Sequence, residues 1–389
     1  MFHIQTLNRI SPSGLAILDG KQFTVGDHME NPDGVLVRSA DMKSYVFPPA
    51  LRAIARAGVG VNNIPVDRCS ECGIVVFNTP GANSNAVKEL AVCALLLASR
   101  NIVGGAEWVR EQAQAGADVV TAVEKGKKAF IGPEIDGKTL GVLGLGAVGI
   151  KVANIATKLG MTVYGYDPYL SVESALQLSR SVHRAMDLQA MFRECDYITL
   201  HMPLTDDTRG MINADAIEAM KEGVRLLNLA RSELVVDDDI IPALESGKVA
   251  SYITDFPNNK IALVKNVVAI PHLGASSPES EENCAVMAAD QLRDYLENGN
   301  IQNAVNLPNV QMERSGMFRL GIIHRNVPNM LASIMAALST QDINVENLRN
   351  HSKRNYAYTL VDVNSRVNEA LVSSIEHIGG VLRVRVLSN

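Results

Sequence analysis

The chain has 389 residues, 47% hydrophobic and 20% charged, which is the composition of a folded globular protein of roughly two or three domains. Its formal net charge of −6 excludes a large basic face for nucleic acid, and no apolar run approaches the length of a membrane span. The N-terminus, Met1-Phe2-His3-Ile4-Gln5-Thr6, lacks a signal-peptide pattern, and five scattered cysteines cannot build a disulfide framework, so a reducing, cytoplasmic location is expected.

The first 95 residues alternate short apolar strands with helices. Gly34–Val37, Leu51–Ala55 and Ile74–Phe77 read as strands of a parallel sheet. Each is followed by a loop of small and polar residues: Arg38-Ser39-Ala40, Gly58 to Asn63, and Asn78 to Asn83. Ligands of open α/β sheets bind beyond the carboxyl ends of the strands, so these loops are candidates for substrate contact. Cys69-Ser70-Glu71-Cys72 has no second Cys/His pair nearby to complete a zinc site and reads as part of a surface helix; no metal is expected. Asn83 to Ile102 reads as a buried helix, and Gly105 to Lys128 as a long helical stretch.

Thr139–Leu143 is an apolar strand that runs into Gly144-Leu145-Gly146-Ala147-Val148-Gly149, a GxGxxG loop. Ile150 to Leu159 suits a helix, and Thr162–Tyr166 a second strand with Asp167 at its end. Strand, loop, helix and acid occur together in the order a dinucleotide site needs. Gly144 permits the tight turn, Gly146 lets the backbone approach a pyrophosphate, and Gly149 lets helix and strand pack closely. The helix N-terminus, at Ala147 and Val148, then presents N–H groups and a positive dipole end to the phosphates. A carboxylate at Asp167 accepts from ribose hydroxyls and repels a 2′-phosphate, so NAD is expected rather than NADP. Three further segments, at 199–210, 227–232 and 270–276, fall where strands of the same sheet should end. Glu279 to Asn298 is an amphipathic helix, and Val305 to Ser315 reads as a linker. The rest, from Arg319 to Leu387, reads as strand, helix, strand, strand, helix, strand, the ferredoxin-like order. A small sheet with exposed edges would gain by pairing with a copy of itself, so a homodimer or homotetramer is expected.

The motifs GLGAVG at 144–149, LHMPLT at 200–205, NLARSELVV at 228–236 and PHLGAS at 271–276 occur in the order, and with the surroundings, found in the D-isomer-specific 2-hydroxyacid dehydrogenases. The chain resembles that family over residues 30–300, also at Leu36–Ala40, Ala55–Asn63 and Pro80–Val87. The C-terminal part resembles the ligand-sensing ACT domain. The resemblance implies an α/β fold in which a Rossmann-type doubly wound parallel sheet (96–279, NAD-binding) is inserted in a second, flavodoxin-like domain (1–95 and 280–304, substrate-binding). A βαββαβ ACT-like regulatory domain (316–389) follows.

It also implies roles. Arg231 would bind a substrate carboxylate through its planar fork and stabilise developing alkoxide, and His272 would carry the proton. His201, Met202, Pro203, Thr208, Leu229, Ala230 and Gly274 would border the cofactor, and Asp255 would meet the nicotinamide carboxamide. Arg38 and Arg56 suit the phosphate of a small phosphorylated hydroxy acid, with the Val59 and Gly60 N–H groups at its carboxylate and Asn83 adding a hydrogen bond. Another small 2-oxo acid, glyoxylate or 2-oxoglutarate, remains an alternative, as does a non-catalytic NAD(H)-sensing corepressor. In the C-terminal domain His324, Asn326 and Asn344 resemble a serine-binding pattern, implying L-serine as an effector, although Asn329 stands where a glycine is usual. One departure concerns His272. The family pairs its histidine with a glutamate, but counting from Asp255 that position falls on Lys260, and no glutamate lies between Glu245 and Glu279. Asn258 or Asn259 is then left to supply a neutral hydrogen bond.

Overall fold

The computed structural model describes residues 1–18 and 20–388. They form two compact units, Met1–Asn83 with Pro278–Asn389, and Ser84–Ser277.

In the first unit, strands Phe23–Gly26, Phe2–Leu7, Gly34–Val37, Ala53–Arg56 and Val75–Phe77 pair in that order as a wholly parallel sheet. Numbered along the chain this is 2-1-3-4-5, the flavodoxin-like order. The last three strands are those expected. The first two escape a hydrophobicity reading because Phe2–Leu7 alternates polar and apolar residues and buries Ile4 alone, while Phe23–Gly26 is a short edge strand. Helix Pro278–Asn298 lays Cys284, Ala285, Ala288, Ala289, Leu292, Tyr295 and Leu296 on this sheet. Their spacing follows the helical period, so one stripe is buried. Val305–Ser315 is not a free linker. Leu307, Val310 and Met312 are buried, and Ile301 and Val310 exchange both backbone hydrogen bonds.

The C-terminal segment has the expected order: strands Phe318–Arg325, Val345–Lys353, Tyr356–Val363 and Val381–Ser388, with helices Met330–Thr340 and Glu369–Glu376. The strands form one antiparallel sheet, 2-3-1-4 in order of occurrence. Leu320, Ile322, Val361 and Val363 pack on Ile334, Leu338, Leu371 and Ile375 of the helices. Because strand side chains alternate, the opposite face carries Ile323, Tyr358 and Leu360, which join the core beneath the Pro278–Asn298 helix. Tyr358 donates to the Gly299 carbonyl at 2.7 Å, and Arg385 donates to Tyr295 and Leu296 carbonyls at 3.0 and 2.8 Å. The second face of the small sheet is therefore covered by its own chain at Ile323, Tyr358, Leu360 and Arg385, while the edge strand Val345–Lys353 stays largely exposed.

The second unit holds a seven-stranded parallel sheet: Val267–Ala269, Val249–Thr254, Val224–Asn228, Tyr197–Leu200, Thr139–Leu143, Thr162–Tyr166 and Val182–Arg184, side by side in that order. The sequence of strands reverses between Thr139–Leu143 and Tyr197–Leu200, the switch point at which doubly wound sheets bind dinucleotides. Helix Ser84–Ser99 belongs to this unit and packs Ala91, Ala94, Leu95 and Ala98 into its core. The stretch from Gly105 to Lys128 is not one helix: Ile102–Gln114 ends before Gly116, and Val119–Gly126 starts anew.

Candidate active site

At the switch point, Gly144 has φ +89°, and a Cβ there would lie 2.8 Å from the His201 carbonyl carbon. A Cβ on Gly149 would lie 1.9 Å from the Gly144 carbonyl oxygen, so the helix Gly149–Lys158 can begin this close to the strand only with glycine. A Cβ on Gly146 would meet nothing within 4 Å. The loop thus leaves open space over its middle glycine and is closed at both ends, the shape a pyrophosphate needs. Asp167 ends the Thr162–Tyr166 strand. Its Oδ2 accepts the Leu145 N–H at 2.8 Å and its Oδ1 the Tyr169 N–H at 2.8 Å. The carboxylate therefore fixes the glycine loop and keeps lone pairs free for a further donor.

His201 follows the neighbouring strand. Its Nε2 lies 2.9 Å from Thr199 Oγ1, and burial pushes its imidazole down to about 4, so it is neutral at pH 7. After Met202 and Pro203 the chain closes on itself, with Thr208 Oγ1 donating to the Pro203 carbonyl at 2.7 Å and accepting the Thr205 N–H at 2.8 Å.

Arg231 is set by a side chain the sequence does not single out. Asn228, fully buried at the end of its strand, donates to the Arg231 carbonyl at 2.8 Å and accepts the Ala230 N–H at 3.2 Å. Beside Leu229 and Ala230, both buried, Arg231 donates to the Ala230 carbonyl at 2.6 Å, and its guanidinium carbon lies 5.8 Å from the Phe256 ring centroid. The exposed ring of His272 rests on the same phenyl group, centroids 4.4 Å apart. Phe256 is thus close to both of the residues expected to do chemistry.

Neither Lys260, at the counted position of the missing glutamate, nor Asn258, one of the two asparagines raised as a substitute, is available to His272. Lys260 is exposed and pairs with Asp238 at 2.9 Å, and the Asn258 amide donates to Asp237 at 2.7 Å while its oxygen caps the N–H groups of Lys260 and Ile261. The carboxylate whose field reaches His272 is Asp255. It is 1% exposed, its Oδ2 accepts the Gly274 N–H at 3.1 Å, and its Oδ1 is buried with no hydrogen-bond partner. Burial raises this carboxyl above the usual range, against the Gly274 N–H and the charges of His272 and Arg231. An orphaned buried acceptor at this place fits an amide donor such as the nicotinamide carboxamide.

In the first unit, the Arg56 Nε donates to the Arg38 carbonyl at 3.1 Å, and the Arg56 guanidinium lies against Gly58, where a Cβ would come within 2.5 Å of it. Arg38 is half-exposed and pairs with Glu281 of the long helix, a partner not foreseen. The loop that holds Val59 and Gly60 is tied to the next by Asn78, which donates to the Val59 carbonyl at 2.7 Å, and by Thr79, whose N–H reaches the Gly58 carbonyl. Asn83 is half-buried at the end of this unit.

In the C-terminal domain His324 is 2% exposed and both its ring nitrogens are engaged, Nδ1 with the Arg325 carbonyl at 2.8 Å and Nε2 with Thr359 Oγ1 at 2.9 Å. Thr359 in turn donates to Asn350 at 2.8 Å. Donation by His324 to an effector carboxylate would compete with this network. Asn326 is exposed and donates to the Arg354 carbonyl at 3.1 Å; Asn344 is exposed and near Glu346. Asn329 has φ +67° and tolerates the left-handed conformation that a glycine would otherwise serve.

Residues 92–274 match the family model described as D-isomer specific 2-hydroxyacid dehydrogenase, NAD binding domain. D-3-phosphoglycerate dehydrogenase of Haemophilus influenzae is 31% identical over 351 residues, which cover 87% of this chain and 82% of that protein. The chain belongs to the D-isomer-specific 2-hydroxyacid dehydrogenase family. The family's NAD-binding domain is the seven-stranded unit. D-3-phosphoglycerate dehydrogenase of Synechocystis is 35% identical over 285 residues, 71% of this chain but 49% of that protein, so the chain spans about half the length of that relative. Among solved structures, NAD+-bound 3-phosphoglycerate dehydrogenase of Entamoeba histolytica is 26% identical with a TM-score of 0.59, covering 78% of this chain and 98% of that one. No helix among the described residues is long and apolar enough to cross a membrane.

Proposed function

We propose that this chain catalyses the NAD-dependent oxidation of D-3-phosphoglycerate to 3-phosphohydroxypyruvate, and the reverse, the step that leads toward L-serine. The observation that supports the substrate choice is the hydrogen bond from the Arg56 side chain to the Arg38 main chain, which brings two arginines to adjacent strand ends, Arg38 also pairing with Glu281. The names of the Haemophilus and Synechocystis relatives support it.

NAD, when bound, supplies the hydride acceptor. Arg231 holds the substrate carboxylate bidentately and stabilises negative charge on the C2 oxygen. His272 takes the hydroxyl proton during oxidation and returns it during reduction. Phe256 fixes the imidazole by ring contact. Asp255, buried and with its Oδ1 unpaired, receives the nicotinamide carboxamide.

Arg56→Ala raises KM for 3-phosphohydroxypyruvate by ~10-fold or more, the value of a charge-assisted hydrogen bond to phosphate, and Arg38→Ala does the same to a smaller degree. Both leave KM for an unphosphorylated 2-oxo acid little changed. Steady-state rates with NADH and a panel of 2-oxo acids check this. Equal losses on both substrates place the phosphate elsewhere, and no turnover with any acid supports a sensor in place of an enzyme.

Cofactor choice is tested at Asp167. Asp167→Asn weakens NADH binding and narrows its advantage over NADPH, because charge repulsion of the 2′-phosphate is lost. Asp167→Ala also frees the Leu145 and Tyr169 N–H groups and costs more. Fluorescence titration with both cofactors reads the ratio, and a preference of the unaltered protein for NADPH would remove Asp167 from the ribose.

A further inference from the structure

The five-stranded sheet of the first unit has a switch point of its own. Phe23–Gly26 is added on one side of Phe2–Leu7, and Gly34–Val37 with the later strands on the other. Doubly wound sheets of this order bind ligands at that point, beyond the carboxyl ends of the two strands. Leu7 and Val37 are register partners across it. Arg38 follows Val37 directly, and Arg9 stands two residues past Leu7. Neighbouring strands lie about 4.8 Å apart, so long side chains rising from both ends can close on one small group.

The backbone on either side of Arg9 is held. Asn8 takes φ +78°, and its Oδ1 accepts the Ser39 N–H at 3.0 Å and the Ala40 N–H at 2.6 Å. Ile10 is buried in the core that also holds Cys284 and Ala285 of the long helix. Ser13 donates to Glu282 of that helix, and a Cβ on Gly14 would lie 2.7 Å from the Ala285 carbonyl oxygen, so the chain that follows is packed tightly. Asn63 donates to the Ala40 carbonyl at 2.8 Å and ties the 58–63 loop to the same edge. Arg9 itself is exposed and forms no ion pair among the described residues.

Charge at this edge has to come from side chains. The Ser39 and Ala40 N–H groups, which could otherwise cradle an oxyanion, are spent on Asn8. A phosphoryl group carries roughly −1.5 to −2 at neutral pH. Arg38 alone does not match it, because its guanidinium already pairs with Glu281. We propose, given the phosphorylated substrate proposed above, that Arg9 is a further cation at its phosphoryl group and a determinant of the preference for phosphorylated acids. The planar fork suits phosphoryl oxygens bidentately, and the held backbone lowers the ordering cost of the contact.

The test is steady-state reduction, by the full chain with NADH, of 3-phosphohydroxypyruvate and of hydroxypyruvate, the same acid without its phosphoryl group. Arg9→Gln should raise KM for the phosphorylated acid about tenfold, as one charge-assisted contact is lost, and KM for hydroxypyruvate by less than about twofold. Turnover of the phosphorylated acid should change little, because the phosphoryl group takes no part in the reaction and its contacts are the same in ground and transition states. Arg9→Lys, which keeps the charge without the fork, should fall between the two. Arg9 is exposed, so both variants should fold. Equal losses on both acids, or an unchanged KM for the phosphorylated acid in Arg9→Gln, overturns the proposal. Arg56→Ala, run alongside, still separates the two acids if the substrate itself is right, so the two failures are told apart. An unaltered protein with no preference for the phosphorylated acid overturns both.

Discussion

His272→Ala lowers turnover by ~10²- to 10⁴-fold, the usual contribution of a positioned acid–base group, while NADH affinity stays nearly constant. The geometry sharpens this expectation at Phe256, at Asp255 and, by contrast, at Lys260. Phe256 lies 4.4 Å from the imidazole, centroid to centroid, so Phe256→Ala should lower kcat with little effect on cofactor binding, by freeing the imidazole to rotate. Burial holds the Asp255 carboxyl above the usual carboxylate range, so Asp255→Asn should remove its titration from the acid limb of the kcat/KM profile, a change that a purely structural defect would not produce. Lys260→Ala should leave kcat close to that of the unaltered protein, because the lysine is exposed and committed to Asp238. Stopped-flow and steady-state rates across pH separate these outcomes. Retention of kcat within tenfold in His272→Ala would mean that another group moves the proton.

Much of this site is legible in the sequence, for physical reasons. A pyrophosphate cradle restricts residue type at fixed spacing, and Gly144 and Gly149 are positions where a Cβ would strike backbone. Arg231 and His272 are singled out by the family motifs that hold them, and Asp167 by its place at the end of the strand after the glycine loop, which is where the proposed roles in carboxylate binding, proton transfer and ribose binding would need them. What orients those groups is a matter of tertiary contact and leaves no such mark. Asn228 lies inside a motif that the sequence displays, yet its work is to hold the turn at Ala230 and Arg231, which depends on its burial. Lys260 occupies the counted position of an absent glutamate, but its side chain goes to Asp238. His324 has the residue type of a ligand contact and is found inside a Thr359–Asn350 network. Polar character also hides packing. Arg319, Arg383 and Arg385 read as surface charge, and nothing in their spacing announces that they spend their donors on carbonyls where the C-terminal sheet meets the rest of its unit. Likewise the proline and asparagines of 305–315 conceal Leu307, Val310 and Met312, which are buried.

The largest loss of stability is expected at the Arg319–Asp362 pair. Both side chains are 1% exposed. Arg319 Nε and one terminal nitrogen meet the two oxygens of Asp362 at 2.6 and 2.9 Å, and the terminal nitrogens also donate to the carbonyls of Asn298, Met312 and Glu313. These contacts employ all five guanidinium donors. Removing one partner strands the other charge in a dry interior, so Asp362→Leu and Arg319→Met should each cost about 3–5 kcal/mol. The double variant should cost clearly less than the sum, because no charge is left behind. The effect has a pH signature. Burial pushes the Asp362 carboxyl up, but the Arg319 hydrogen bonds and the Ser315 N–H outweigh it and hold the group below the usual carboxylate range. A carboxyl with a depressed folded value contributes stability that is fully present above its unfolded pKa, about 3.9, and is lost as pH falls through the folded value. Acid sensitivity below about pH 4 should therefore be smaller in the double variant than in the unaltered protein. Chemical unfolding at pH 7 and pH 3, with hydrogen exchange over residues 318–325 to assign the transition to the C-terminal sheet, reads both effects. A cost under about 1 kcal/mol in each single variant would mean that water reaches the pair and that the cage of three carbonyls and one carboxylate around Arg319 opens readily.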